Sequence, residues 1–546
     1  MDSVSTIFVI SLAILASGVL VRVIPFSIPL PLIQITLGMV IAGVFKKGVS
    51  LEPHMFLLIF IPPLLFLDGW RMSNRVLKKE WTNIFQLAIG LVIFTMLGLG
   101  YIIHWMIPSM PLPIAFALAA ILSPTDPVAV AGIARKLAVP ERVMSILEGE
   151  ALFNDATGLV AFKMAVIVAI TGSFSIYKAT GTFVWVALAG IAIGIATTWL
   201  LSYFRRKFTN QHGEELGSEI LLSLLMPFIA YLIAEYVGTS GVLAAVAAGI
   251  TMSRLELQGG IAPLTRMRRG AIWDTVQFTL NGAIFVLLGE QLPDIFEDAI
   301  NVATKIGNQS VWGLLVYATV ICLTLIIFRF TWVFASLNVT YYLKNKRRLA
   351  LTRDNLRDIL VVSFGGVRGA ITLAGVLSFP LFLPSGDEFP SRDLAVFLAA
   401  TVIIISLITA SVFLPLLLRN THEESNINCP QVEQKRLAID AAKIAVEFHL
   451  SNLLIEIKKS NPELTEDYYM ALTNRLWVEF ENIFDPYRDP ENLAHLQYEV
   501  ERKIRLAIIK SARQVIFSLA SENKISDDVA RDMVKKLDFD EIRFIS

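Results

Sequence analysis

The sequence predicts an all-α polytopic membrane protein. It has thirteen transmembrane helices in six-helix inverted repeats, with broken crossing helices 5 and 12, followed by a soluble α-helical C-terminal domain. Three observations predict this. First, 55% of the 546 residues are hydrophobic and 17% charged, with a mean hydropathy of +0.62. Apolar stretches of about 18 residues or more recur over the first ~420 positions. Second, residues 1–420 carry 30 Lys+Arg and 24 Asp+Glu, and residues 421–546 carry 17 and 23, so charge density rises about 2.5-fold at Arg419-Asn420. That step divides a membrane domain, 1–420, from a helical tail domain, 421–546. Third, two spans carry helix breakers at mid-depth.

The spans lie at roughly 5–21, 29–45, 53–70, 83–107, 113–135, 142–170, 181–204, 218–236, 240–253, 271–289, 311–342, 357–379 and 393–418. The opening Met1-Asp2-Ser3-Val4 lacks the basic region of a signal peptide, so the first span reads as a retained helix. Two cysteines, Cys322 and Cys429, exclude a disulfide framework. Loops after odd-numbered spans hold 21 Lys and Arg, and loops after even-numbered spans hold 5. Basic loops stay on the cytoplasmic side. The expected topology therefore has the N-terminus outside and the tail inside a cell inner (plasma) membrane.

Span 5 contains Ser123-Pro124-Thr125-Asp126-Pro127, and span 12 contains Phe364-Gly365-Gly366-Val367-Arg368-Gly369. They are seven spans apart. Thirteen spans divide as six, a linker and six, and an odd offset inverts the second half. Interrupted helices at matching places in two such halves mark a binding site at the breaks.

Charge inside a bilayer is costly and needs a reason. At 1.5 Å per residue, Asp126 sits ~20 Å into span 5, Asp155 ~20 Å into span 6 and Arg368 ~16 Å into span 12. All three fall near the midplane of a ~30 Å hydrocarbon core. Asp126 before Pro127 also reads as an ordinary N-cap of the second half-helix. Asp155 has a structural alternative as a partner for Lys163, eight residues on, which is long for a direct pair. A lone carboxylate in a low-dielectric cavity can instead hold a proton or a cation, but not both, which is the physical basis of exchange. Glu148 and Glu150 cannot both be free acids in lipid. Glu150 is expected to brace span 6 to span 12 through Arg368. Glu148 lies on the face of Asp155, nearer the cytoplasm, at a possible entrance. Asp68, after Pro62-Pro63, reads equally as vestibule or helix end. Lys163, His104 and Arg329 are expected to snorkel or to pair structurally.

Ser123-Pro124-Thr125-Asp126-Pro127, Gly149-Glu150-Ala151-Leu152-Phe153-Asn154-Asp155, Gly365-Gly366-Val367-Arg368-Gly369-Ala370 and Ile61-Pro62-Pro63-Leu64-Leu65-Phe66 occur in order along the membrane domain. Together they resemble the monovalent cation:proton antiporters, sodium/proton exchanger branch, of the bacterial type with an Asn-Asp pair and a cytoplasmic helical tail. The resemblance implies thirteen helices, a homodimer and a mobile six-helix core. It implies Asp155 as the shared cation- and proton-binding carboxylate, Asn154 as its neighbour, and Thr125 and Asp126 at the crossing of the broken helices. It implies Glu150 and Arg368 as an interhelical pair. Asn154 in place of a second acid implies electroneutral exchange, one for one. Two departures bear on selectivity. Ala151 stands where many relatives have Ser, and Leu67 stands where many have an acid, with Asp68 one position later. K+ and Li+ therefore join Na+ and H+ as expected ions.

Two rival classes are an intramembrane aspartyl protease with an Asp126/Asp155 dyad, and an organic anion carrier using Arg368 as a carboxylate clamp. The first lacks a Gly-x-Gly-Asp context, and the second leaves Asp155 unexplained. In the tail, Gln431–Lys459 and Ala494–Ala520 read as amphipathic helices with breaks at Pro462, Pro486 and Pro490. This composition suits dimerisation, scaffolding or regulation of transport. No cofactor and no nucleic-acid partner is expected, and the chain is not expected to be an enzyme.

Overall fold

The computed structural model describes residues 3–23, 28–45, 53–72, 74–126, 141–172, 176–213, 215–257, 263–305, 311–345, 353–383 and 386–418. In the tail it describes 465–484 and 493–521, with a few isolated positions beyond them. Two compact units are formed, Met1–Thr421 and His422–Ser546. In the first, α1 is Ser3–Val23, α2 Leu30–Phe45, α3 Pro53–Arg71 and α4 Asn74–Phe85. A π-helical turn, Gln86–Leu91, joins α4 to α5, Val92–Met106. Then follow α6 (Leu112–Leu122), α7 (Glu141–Thr171), α8 (Ile176–His212), α9 (Leu216–Tyr236), α10 (Gly241–Leu257), α11 (Pro263–Lys305) and α12 (Val311–Asn345). The unit ends with α13 (Arg353–Phe364), α14 (Ala370–Leu377) and α15 (Arg392–Leu418). In the second unit, α16 is Glu466–Phe484 and α17 is Leu493–Ser521. Residues 127–135 of the expected span 5, and most of Gln431–Lys459, lie outside the described residues.

Eight described helices are long and apolar enough to cross a membrane, and Leu30–Val44 and Leu112–Leu122 are shorter apolar helices. The thirteen expected spans exceed these eight partly because α6, α13 and α14 are short. At 1.5 Å per residue none of the three reaches across a bilayer.

Within the first unit, α2 packs on α11, α3 on α10, and α8 and α9 on α10. We call this set the scaffold. A second set, the core, joins α5, α6 and α7 with α12, α13 and α15. Two scaffold crossings are backbone to backbone. Gly38 of α2 faces Val286 O while Gly289 of α11 faces Ile35 O; Gly69 of α3 faces Val246 O while Gly249 of α10 faces Phe66 O. A Cβ at Gly69 would lie 2.6 Å from the Val246 carbonyl. Without a hydrophobic drive between helices in lipid, such small-residue contacts are what hold them together. The core is fixed differently. Arg329, Trp332 and Ser336 of α12 fall at i, i+3 and i+7, one face of a helix. Trp332 Nε1 donates to Gln86 O at 3.0 Å, and Ser336 Oγ donates to Gln86 Oε1. These bonds seat α12 on the π-helical turn and set the register that carries Arg329 inward.

Candidate functional site

The first break follows α6 and runs through Ser123, Pro124, Thr125 and Asp126. Pro124 has no backbone N–H with which to continue the helix, and α6 ends at Leu122. The second break, Gly365–Gly369, separates α13 from α14. The breaks cross and bond to one another: Asp126 N donates to Val367 O at 2.7 Å. Any Cβ at Gly369 would collide with the Asp126 carboxyl, so only glycine permits this approach. Arg368 Nε donates to Leu122 O at 2.9 Å, its Nη1 donates to Gly366 O, and its backbone N–H donates to Ser406 Oγ at 3.2 Å. A cation thus covers the carbonyl end of α6, and the Asp126 carboxyl lies against the N-terminal end of α14. Both charges oppose the helix dipoles they face.

Arg368 is therefore not the partner of Glu150, as the sequence suggested. Arg329 is. Its Nη1 and Nη2 meet Glu150 Oε1 and Oε2 at 2.5 and 2.6 Å, and its Nε donates to Val362 O at 2.8 Å. Glu150 is wholly buried and Arg329 2% exposed. The reason is geometric. The bidentate fork needs both carboxylate oxygens in one plane, and Arg368 has turned its guanidinium to the carbonyls of the breaks. Asn154 Nδ2 donates to Thr125 Oγ1 at 3.1 Å and to Glu150 Oε1 at 3.3 Å. A chain of polar contacts thus runs from α13 through Arg329, Glu150 and Asn154 to Thr125 in the first break. Lys163 pairs with Glu235 of α9 at 2.9 Å, leaving Asp155 out of any bond with it. His104 Nδ1 lies 2.8 Å from Met110 O.

A cavity of about 400 Å³, counted to its open mouth, lies between core and scaffold. It is lined by Asp155 of α7, by Thr125 and Asp126, by Gly369, Ile371 and Thr372, by Leu64 and Asp68 of α3, and by Gln277 and Asn281 of α11. Asp155 is 6% exposed. No described hydrogen bond or ion pair takes up its carboxyl. Of the residues singled out in the sequence, the structure gathers Asp68, Thr125, Asp126 and Asp155 here. Asn154 stands behind Thr125, buried and outside the cavity lining. Glu148 is exposed and also outside it. Among the described residues no group of three His, Cys, Asp or Glu side chains is placed to hold a metal ion. Sequence reasoning missed Gln277, Asn281 and Thr372. The only available signal was an amide pair at i, i+4 in the uncharged stretch of α11 between Asp274 and Glu290.

A buried carboxylate beside two crossed, interrupted helices defines a secondary transporter. The family described as sodium/hydrogen exchanger, transmembrane, matches residues 7–420, and the chain belongs to that family. It is a multi-span membrane transporter and not an enzyme, so the protease reading falls. A protein of Escherichia coli K12 described as an uncharacterised Na+/H+ exchanger is 39% identical over 98% of both chains. A sodium, potassium, lithium and rubidium/H+ antiporter of Bacillus pumilus is 38% identical, over 98% of this chain and 77% of that one. The structure of a sodium proton antiporter from Methanocaldococcus jannaschii at pH 8 matches with a TM-score of 0.57 at 18% identity. That match covers 78% of this chain and all of that one, and shows a shared fold.

Proposed function

We propose that the protein exchanges a monovalent cation for protons, one for one, by alternating access, with Asp155 as the site that both share. Na+ is the leading substrate, with K+ and Li+ as further ions, in keeping with what the Bacillus pumilus relative is described as carrying. The observation that carries the reading is the Asp155 carboxyl, buried at the helix crossing, facing the cavity and taken up by no described partner. Such a group needs neutralising from the cavity, by a proton or by a cation. Two other charges deep in the core are compensated in place: Glu150 by Arg329, and Arg368 by backbone carbonyls at a helix end. Asp155 alone then changes its load, and the moving core carries the same charge in both directions.

The remaining assignments belong to this reading. The two glycine crossings support inverted repeats. A twofold that exchanges α2 with α10 and α3 with α11 turns the Gly38/Gly289 crossing into the Gly249/Gly69 crossing. In the thirteen-helix reading, the cavity wall includes Asp68, one turn from cytoplasmic Arg71, so the cavity opens inward. The tail is cytoplasmic, the N-terminus is outside, the membrane is the plasma membrane and the assembly is a homodimer. The basic loops support this orientation.

The test is sodium-driven proton flux in proteoliposomes, with the voltage clamped at several values by valinomycin and K+ gradients of different size. One-for-one exchange predicts a rate independent of the clamp. An electrogenic cycle would feel ~2.3 kcal/mol per charge per 100 mV, and a clear voltage dependence would show that a second group changes protonation.

A further inference from the structure

We propose that Asn281 is a ligand of the carried cation and sets the order of preference among monovalent ions from the scaffold side of the cavity. The proposal rests on the exchange reading above and deepens it.

Asn281 lies in Thr279-Leu280-Asn281-Gly282-Ala283-Ile284, an apolar stretch of α11. A carboxamide at membrane depth is costly unless something satisfies it. Its neighbour one turn away has an internal explanation. Gln277 Oε1 accepts from Arg71 Nη1 at 2.6 Å, and the same arginine also binds Asp274. Asp274, Gln277 and Asn281 fall at i, i+3 and i+7, so they form one stripe along α11. The stripe runs from the exposed Arg71–Asp274 pair into the cavity. Asn281 is its inner end, and no described hydrogen bond takes up its amide. Asn281 lines the cavity that holds Asp155.

The other neutral oxygens on the wall are partly committed or few. Thr125 Oγ1 already accepts from Asn154, and Thr372 offers one hydroxyl. The carboxylates supply charge, which every monovalent cation answers to. Discrimination between cations comes from the number and field strength of the neutral oxygens around them. A carboxamide on two rotatable bonds adds one such oxygen without altering the charge carried. It also stands on α11, across the cavity from the core, so it can reach the ion only while the core holds this position. Selection from Asn281 therefore acts on the side to which this cavity opens.

The test compares the parent with Asn281→Leu, of similar shape, and Asn281→Gln, which keeps the amide. Proton flux driven by Na+, K+, Li+ and Rb+ is measured in proteoliposomes, and the melting temperature in cation-free buffer reports folding. Loss of one neutral polar contact predicts a rise in KM of about five- to tenfold in Asn281→Leu. The rise should be unequal between ions, so that the ratio of KM for Na+ to that for K+ shifts. In Asn281→Gln the affinities should partly recover with a different ratio, and this variant alone decides the matter if Asn281→Leu does not accumulate. Unchanged KM values, or one common factor for every ion, would overturn the proposal. Absence of cation-driven flux in the parent would overturn the exchange reading and this proposal with it. A parent that exchanges, with variants that leave the ratios untouched, overturns this proposal alone.

Discussion

Replacing Arg329 by Met should destabilise the membrane unit by about 3–5 kcal/mol, the usual consequence of leaving a buried partner unpaired. The structure argues for the full range. The fork is bidentate at 2.5 and 2.6 Å, Glu150 has no exposure, and the same guanidinium also satisfies Val362 O. After the change Glu150 keeps only the Asn154 amide at 3.3 Å. At roughly 2.1 cal/mol/K per residue, a unit ending at Thr421 has a melting entropy of about 0.9 kcal/mol/K. The expected fall in Tm is therefore roughly 3–6 °C. Glu150→Leu should cost at least as much, because the guanidinium left behind cannot deprotonate whereas a lone Glu150 can take a proton. The double variant Arg329→Met/Glu150→Leu removes both charges and should recover at least half of the loss. The assay is a thermal melt of detergent-solubilised protein followed by size-exclusion chromatography. Single losses that simply add, with a coupling below about 0.5 kcal/mol, would refute the pairing.

Three further outcomes are expected. Arg368→Ala uncovers the carbonyls of Leu122 and Gly366 and should lower folded yield and transport together; a variant as stable as the parent by the same melt would contradict the helix-end role. Gly249→Ala drives a methyl group into the Phe66 carbonyl, and overpacking of this kind should lower stability by about 1–3 kcal/mol, read as Tm; no change would mean that the α3–α10 crossing is loose. Lys163→Gln or Glu235→Gln opens a pair whose side chains are 47% and 35% exposed, so Tm should move by the equivalent of about 1 kcal/mol or less; a larger drop would show that the pair bears on folding.

The membrane class and the two breaks were legible in the sequence because hydropathy, basic loops and Pro or Gly at mid-span are local signals. Four of the cavity residues were legible too. Asp68, Asp126 and Asp155 are charged where lipid-facing residues would be apolar, and Thr125 entered through the family resemblance of the motif at the first break. The partner of Glu150 was not legible. Arg329 lies 179 positions away in a span whose pattern gives no face, and choosing between it and Arg368 requires knowing that Arg368 is turned to Leu122 O. Gln277 and Asn281 were missed because a neutral amide in a helix leaves no charge anomaly. The symmetric glycine crossings were invisible as well, since small residues in a membrane helix carry no sign of which neighbour they touch.

The central claim is that one carboxylate, Asp155, is loaded alternately by a proton and a cation. The most direct measurement is cation-induced dissipation of a proton gradient in everted vesicles carrying Asp155→Asn, with membrane insertion and folding checked in the same preparation. The account predicts a folded, inserted protein that gives no response to Na+, K+ or Li+ at any concentration at which the parent responds. A normal sodium response from that variant would contradict it.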